Sequence, residues 1–246
     1  MNMKRISIVF VALFFIMCMP GFSENPSRSS IPLIGDPAPS FVAETTHGTL
    51  HFPEDYGRYW KILFAHPRDF TPVCSSEILE LAYAQRDFDQ LGVKLVVIST
   101  DELKSHYMWK AALEEVPFRN REPVKITFPL VEDHAYAVSD LYGMTHPEAK
   151  RGKNIRGVFF IDRDNIVRAI YFYPAEVGRN TEEIKRTLMA LQKADDDFNT
   201  ATPANWRPGD PVMIPFPTPL MLESMNAGNS LYFQYNWFMT FSHEPL

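Results

Sequence analysis

Strand-like and helix-like patterns alternate along the middle of this chain, and that alternation limits its folds more than any other feature. "KILFA" (61–65) is a short apolar strand, and "SEILELAYAQRDFDQL" after it places Ile78, Leu81, Ala82 and Phe88 at helical spacing. "VKLVVIS" (93–99) is a buried strand. "DELKSHYMWKAALEE" (101–115) is a helix with Asp101 as its expected cap. "ITFPLVED" (126–133) gives a third strand and "HAYAVSDLYG" (134–143) a helix ending at Gly143. Strand–helix–strand units build parallel sheets with helices on their faces. "GVFFID" and "IVRAIYFY", joined by the turn "RDN", then add antiparallel strands. "NTEEIKRTLMALQKAD" closes the series as a helix, with Asn180 as cap and Glu183 three residues on.

The sum is an α/β domain, a mixed sheet flanked by helices, in the layout of a thioredoxin-like fold. Its expected limits are 33–197 within a chain of 246 residues. Residues 1–23 read as a secretory signal: Lys4 and Arg5, the apolar run "ISIVFVALFFIMCM", then Gly21 and Ser23 as small cleavage-site residues. The run is short for a transmembrane span of about 20 residues, so an exported protein, periplasmic or secreted, is expected, with no stable membrane anchor after cleavage. Cleavage after Ser23 removes Lys4, Arg5 and no acid, which takes the formal charge from -6 to -8. An acidic chain does not suit nucleic acid. Residues 24–32 read as a flexible leader.

From residue 198 onward the composition changes. "TATPANWRPGDPVMIPFPTP" is proline-rich, and "LYFQYNWFMTF" (231–241) reads as one period-2 strand. Leu231, Phe233, Tyr235, Trp237, Met239 and Phe241 share its apolar face, with Gln234, Asn236 and Thr240 opposite. Such a face needs a cover. Packing on the chain's own core and a dimer contact are both open.

The chemistry concentrates in "HPRDFTPVCSSEILELA" (66–82). Pro72 suits the first helical position, where its missing N–H costs nothing. Thr71 is then the cap, and Cys74 lies in the first turn, at the positive end of the helix dipole. Helix N-termini lower thiol pKa values from about 8.5 into the range ~3.5–7.5. The position is also the carboxyl end of a parallel strand, where α/β sheets place ligand sites. Removal of the signal takes away Cys18, the only other cysteine, so no internal disulfide forms. Cys74 is then either a reactive thiol or a small buried hydrophobe. The polar approach through His66, Arg68, Asp69 and Thr71 favours the reactive role.

"PRDFTPVC" matches the PxxxTxxC motif of the peroxiredoxins. With "HPRDFTPVCSSE", "YPAEVGRN" and "TPANWRPGDPVM", the chain resembles the single-cysteine subfamily related to mammalian peroxiredoxin 6, from about Leu33 to about Ile214. The resemblance implies a thiol-dependent peroxidase for hydrogen peroxide and organic hydroperoxides. Cys74 would be the peroxidatic cysteine, its sulfenic acid resolved by an external thiol, small-molecule or protein. Thr71 would bond the peroxide, Pro67 would shield the thiolate, and Arg156 would stabilise thiolate and peroxide. Glu77 and Arg179 would support Arg156. His66 would lie beside the pocket, as a packing residue or a proton carrier. A homodimer is implied, and no cofactor.

One expected absence concerns lipid hydrolysis. Some relatives of peroxiredoxin 6 hydrolyse phospholipids through GxSxG and an upstream histidine. Here "GRYWK" (57–61) puts Tyr59 at the serine position and Lys61 at the second glycine, and Pro53 replaces the histidine. Without hydroxyl nucleophile and base that reaction has no route. Other readings of the chain are a redox sensor or chaperone using Cys74, and metal binding at His47 and His51, which lack a third ligand. A disulfide exchanger would need a second cysteine.

Overall fold

The computed structural model describes residues 31–145, 154–228 and 231–243. The signal, the leader up to residue 30 and Cys18 lie outside the described residues. The central sheet has seven strands. A hairpin of β1 (Phe41–Thr45) and β2 (Gly48–Phe52) comes first, then β3 (Trp60–Ala65), α1 (Pro72–Gln90), β4 (Val93–Ser99) and α2 (Leu103–Leu113). β5 (Leu130–Glu132), α3 (Ala137–Leu141), β6 (Arg156–Ile161), β7 (Val167–Tyr173) and α4 (Thr181–Asp196) follow. The strand order is β2-β1-β5-β4-β3-β6-β7. β3, β4 and β5 run parallel, and β1, β6 and β7 join antiparallel. This is the expected mixed sheet, with one hairpin more than the sequence announced.

Alternation along β3 shows how the sheet separates two cores. Trp60, Ile62 and Phe64 face α1, α2 and α4 and join Ile78, Leu81, Phe88, Trp109 and Leu188. Leu63 and Ala65 face the other side, with Phe41, Phe52, Tyr142 and Phe159. Successive strand side chains point to opposite faces, so one short apolar run serves both layers. Lys61 is also fully buried; its ammonium donates to the Gly57 carbonyl at 2.7 Å, and to Asn165 and the Asp162 carbonyl.

Several sequence expectations shift at their edges. Asp101 does not cap α2. Glu102 occupies the N-cap without a side-chain bond, and the Asp101 carboxylate accepts from the Asp69 N–H at 2.8 Å instead. The strand expected over 126–133 pairs only at Leu130–Glu132, although Ile126 and Phe128 are buried. Asn180 caps α4 as expected, accepting from the Glu183 N–H at 3.2 Å. Gly143 adopts φ +62, and a Cβ there would come 2.3 Å from Ile31 Cγ1.

The C-terminal extension forms its own sheet of β8 (Val212–Met213), β9 (Tyr232–Asn236) and β10 (Met239–Ser242), in the order β8-β10-β9, with α5 (Pro219–Asn226) between. The single strand expected over 231–241 is thus a hairpin turning at Trp237 and Phe238. The register pairs Phe233 with Phe241, which stack at 5.2 Å. The turn residues stay outside: Trp237 is 81% and Phe238 62% exposed. Among the described residues no helix is long and apolar enough to cross a membrane.

Candidate active site

The loop from β3 into α1 carries the site. Thr71 is extended (φ -105, ψ 146) and Pro72 opens the helix at N1, so Cys74 sits in the first turn as expected. Cys74 is 1% exposed. β6 runs antiparallel to β3, so the start of β6 lies beside the end of β3. Arg156, the first residue of β6, therefore reaches the sulfur: Nη1 lies 3.3 Å from Cys74 Sγ. The same Nη1 donates to Glu77 Oε2 at 2.6 Å, while Nε and Nη2 both donate to the Ala175 carbonyl, at 3.0 and 2.6 Å.

Glu77 is three residues past Cys74, on the same face of α1. It clamps a second guanidinium. Arg179 donates from its backbone N–H and Nε to Oε1 at 2.8 and 2.7 Å, and from Nη2 to Oε2 at 2.9 Å. Its Nη1 bonds the Ala65 and Gly157 carbonyls, each at 2.8 Å, which ties the ends of β3 and β6 together. The guanidinium also lies 3.3 Å from the centre of the Phe64 ring. Burial pulls the Arg179 pKa down, and the hydrogen bonds and charge of Glu77 oppose that. The cluster thus buries two guanidiniums and one carboxylate. Buried charges need partners, and one negative charge is wanting beside Arg156. The Cys74 sulfur is the group that faces Arg156 there.

Thr71 is half-buried, and its hydroxyl donates to the Arg68 carbonyl at 2.9 Å. That leaves the oxygen's lone pairs free to accept from an incoming hydroperoxide O–H. Pro67 is buried in the same loop. His66 is fully buried 5.0 Å from the Trp109 ring, and neither ring nitrogen has a hydrogen-bond partner within the protein. Desolvation pushes its pKa down to about 3, against the pull of Asp69, so at neutral pH the ring is uncharged. Of the two roles open for His66, this environment favours packing over proton donation.

The seven residues given site roles by the family resemblance thus lie on the loop, the helix start, the β6 start and the residue before the α4 cap, which meet at one end of the sheet. The sequence does not show that a second polar group assembles behind the loop, with Asp69, Ser99 and His106 buried and Asp101 and Ser105 half-buried. Burial works to raise the Asp69 pKa, but the His106 hydrogen bond and the nearby His66 and His106 hold it below the ordinary value. No spacing rule could pair Asp69 with His106, because α1, β4 and the start of α2 separate them. Among the described residues no three potential ligands, His47 and His51 included, come together to hold a metal.

Two family models match the chain: the AhpC/TSA family over residues 34–170, and the C-terminal domain of 1-Cys peroxiredoxin over residues 190–220. A peroxiredoxin of Methanosarcina mazei is 42% identical over 212 residues, 85% of this chain and 96% of that protein. A yeast mitochondrial 1-Cys peroxiredoxin superposes with a TM-score of 0.74 at 33% identity, over 86% of this chain and 99% of that one. A cysteine mutant of peroxiredoxin 6 of Arenicola marina gives 0.73 at 29%, over 87% and 99%. With that likeness spanning both cores and the Cys74 cluster, the chain belongs to the peroxiredoxins, the thiol-dependent peroxidases.

Proposed function

We propose that Cys74 is the peroxidatic cysteine and that its sulfenic acid is resolved by an external thiol. The contact between Arg156 Nη1 and Cys74 Sγ carries this reading. The thiolate attacks the terminal peroxide oxygen, the O–O bond breaks, and the second oxygen leaves with the bonding pair. That oxygen takes a proton to become water or alcohol, and Cys74 becomes a sulfenic acid. Thr71 accepts the O–H of the incoming peroxide, and Pro67 keeps bulk water from the sulfur. Arg156 is already in place where negative charge moves from sulfur to oxygen, which is electrostatic preorganisation. Glu77 holds Arg156 by a hydrogen bond, and Arg179 in turn holds Glu77. The yeast relative is described as resolved through glutathione and thioredoxin systems; a thiol of that class, small-molecule or protein, supports resolution here, since Cys74 is the free cysteine among the described residues.

The test is peroxide loss over many equivalents with dithiothreitol present, beside Cys74→Ser. Sustained loss that vanishes in the variant is the expected result. One equivalent consumed and then a halt would favour a sensor instead.

Three finer readings belong to the same account. Residues 1–23 direct export, to the periplasm or beyond the cell, which the pattern of Lys4, Arg5 and the apolar run supports; the N-terminus of the protein recovered from cells tests it. Residues 33–197 are the peroxidase domain. Residues 198–246 are an extension that joins a homodimer, supported by the uncharged exposed aromatics of the β9–β10 turn.

A further inference from the structure

Two apolar side chains beside the Cys74 site face solvent, and the backbone holds one of them there under strain. In the segment 68–70 Asp69 points inward, 3% exposed. Its Oδ2 lies 2.8 Å from His106 Nδ1 and accepts from Ser105 Oγ at 2.8 Å, and its N–H donates to Asp101 Oδ2 at 2.8 Å. Phe70, the next residue, is thereby turned outward. It is held at φ 53, a conformation that a bulky side chain keeps only when its surroundings impose it. Phe70 is 56% exposed, belongs to neither core, and leans on Trp109 with ring centres 6.5 Å apart. Val177 reaches the site from a distant part of the chain. Its neighbour Gly178 packs on the residue before Cys74, where a Cβ would come 3.5 Å from Val73 Cγ1. Two residues before Val177, the Ala175 carbonyl accepts both bonds that orient Arg156. Val177 is itself 46% exposed. Phe70 thus adjoins Thr71, and Val177 adjoins the cradle of Arg156.

We propose that Phe70 and Val177 form an apolar rim that takes the organic part of a hydroperoxide, so that the site selects alkyl and aryl hydroperoxides over hydrogen peroxide. The inference rests on Cys74 being the reacting thiol. The step is Cys74–S⁻ + ROOH + H⁺ giving Cys74–SOH + ROH. Sulfur attacks the terminal oxygen in line with the O–O bond, so the departing oxygen and its substituent R lie on the side away from sulfur. Cys74 is 1% exposed and has Arg156 Nη1 at 3.3 Å. R therefore finds room only outward of Thr71 and Arg156, where Phe70 and Val177 present carbon. In hydrogen peroxide R is a hydrogen atom, which touches neither. Contact between R and the rim lowers the barrier measured from free enzyme and free substrate, and does so for organic hydroperoxides alone. Full burial of a methylene is worth about fourfold in rate, and an open rim that covers one side of the chain about twofold.

The test is the second-order rate of Cys74 oxidation in the full protein, read by rapid quench and mass spectrometry. The substrates are hydrogen peroxide and ethyl, butyl and hexyl hydroperoxide. Wild type is expected to react faster along the alkyl series, by about tenfold from ethyl to hexyl. Phe70→Asn removes the ring and suits a left-handed backbone, so the variant is expected to fold. Val177→Ser removes the other contact. Each should cut the rise to about threefold and the two together should abolish it, with the hydrogen peroxide rate within about twofold of wild type. Val42→Ser, at a position 63% exposed on β1, should leave the rise intact. A wild-type rate independent of chain length overturns the rim. A rise that survives both substitutions, or that falls equally in Val42→Ser, overturns it too. Altered sedimentation of Phe70→Asn with an unchanged rise would make Phe70 an interface residue and has the same consequence. Wild-type protein whose Cys74 is oxidised by none of the four peroxides overturns instead the reading of Cys74 beneath it.

Discussion

The Cys74 cluster and the β9–β10 hairpin are opposite solutions to placing difficult side chains. At Cys74 the protein buries two guanidiniums and a carboxylate and pairs nearly every donor, at distances of 2.6 to 3.0 Å around Glu77 and Ala175. At the hairpin it leaves Tyr235, Trp237 and Phe238 in the open, 75%, 81% and 62% exposed. The first region is complete within one chain: Glu77 bonds both guanidiniums, and Arg156 also faces the Cys74 sulfur. The second leaves its largest rings exposed within one chain, and the homodimer proposed above would cover them. Chemistry and assembly are therefore separable, and substitutions should fall cleanly on one side or the other.

The largest effect on stability should come from Glu77→Gln. It leaves Arg156 and Arg179 without the carboxylate they share, and breaking a buried pair in this way costs about 3–5 kcal/mol. Denaturant titration checks this, with loss of peroxidase activity alongside. Loss of less than about 1 kcal/mol would mean that the two guanidiniums do not depend on Glu77.

Acid sensitivity comes next. His66 has a folded-state pKa of about 3, below its ordinary 6.5. In that window the unfolded chain binds more protons, so stability is complete above about pH 6.5 and falls as pH drops towards 3. The slope attributable to one such group is at most about 1.4 kcal/mol per pH unit. Asp69, with its lowered pKa, loses its contribution in the same direction as acid protonates it. His66→Gln should flatten the acid limb of a plot of melting temperature against pH. An unchanged slope would place the sensitivity elsewhere.

The smallest effect on the folded monomer should come from the hairpin. Trp237→Ser is expected to change monomer stability by no more than about 0.5 kcal/mol, as exposed substitutions do. It should weaken self-association by about tenfold or more, because buried interface aromatics carry most of the binding energy. Analytical ultracentrifugation over a concentration series separates the two. An unchanged dissociation constant would remove the hairpin from the interface.

Much of the site was legible because its core is contiguous. Thr71, Pro72 and Cys74 carry their own helix-start chemistry. Arg156 and Arg179 were legible only through the likeness to peroxiredoxins, since their nearness to Cys74 depends on β6 running antiparallel to β3. The Asp69–His106 contact was hidden for the same reason: it is made by the crossover from β4 into α2. The β1–β2 hairpin, at one end of the sheet, is hard to see in the sequence because its strands are only five residues each and half of their positions are exposed. The C-terminal hairpin was read as one strand because its turn is made of Trp237 and Phe238 rather than glycine or proline, and the period-2 pattern ran straight through it.

Under the proposed function, the buried guanidinium of Arg156 drives the reaction of Cys74 with peroxide, and Arg156→Met removes it. The change leaves Glu77 and Arg179 as a neutral pair, so the fold should survive, unlike in Glu77→Gln. Stopped-flow measurement of the second-order rate with hydrogen peroxide should then show a fall of about 10²–10³-fold, the usual effect of losing a preorganised electrostatic donor. A folded variant that reacts within about threefold of wild type would contradict the account.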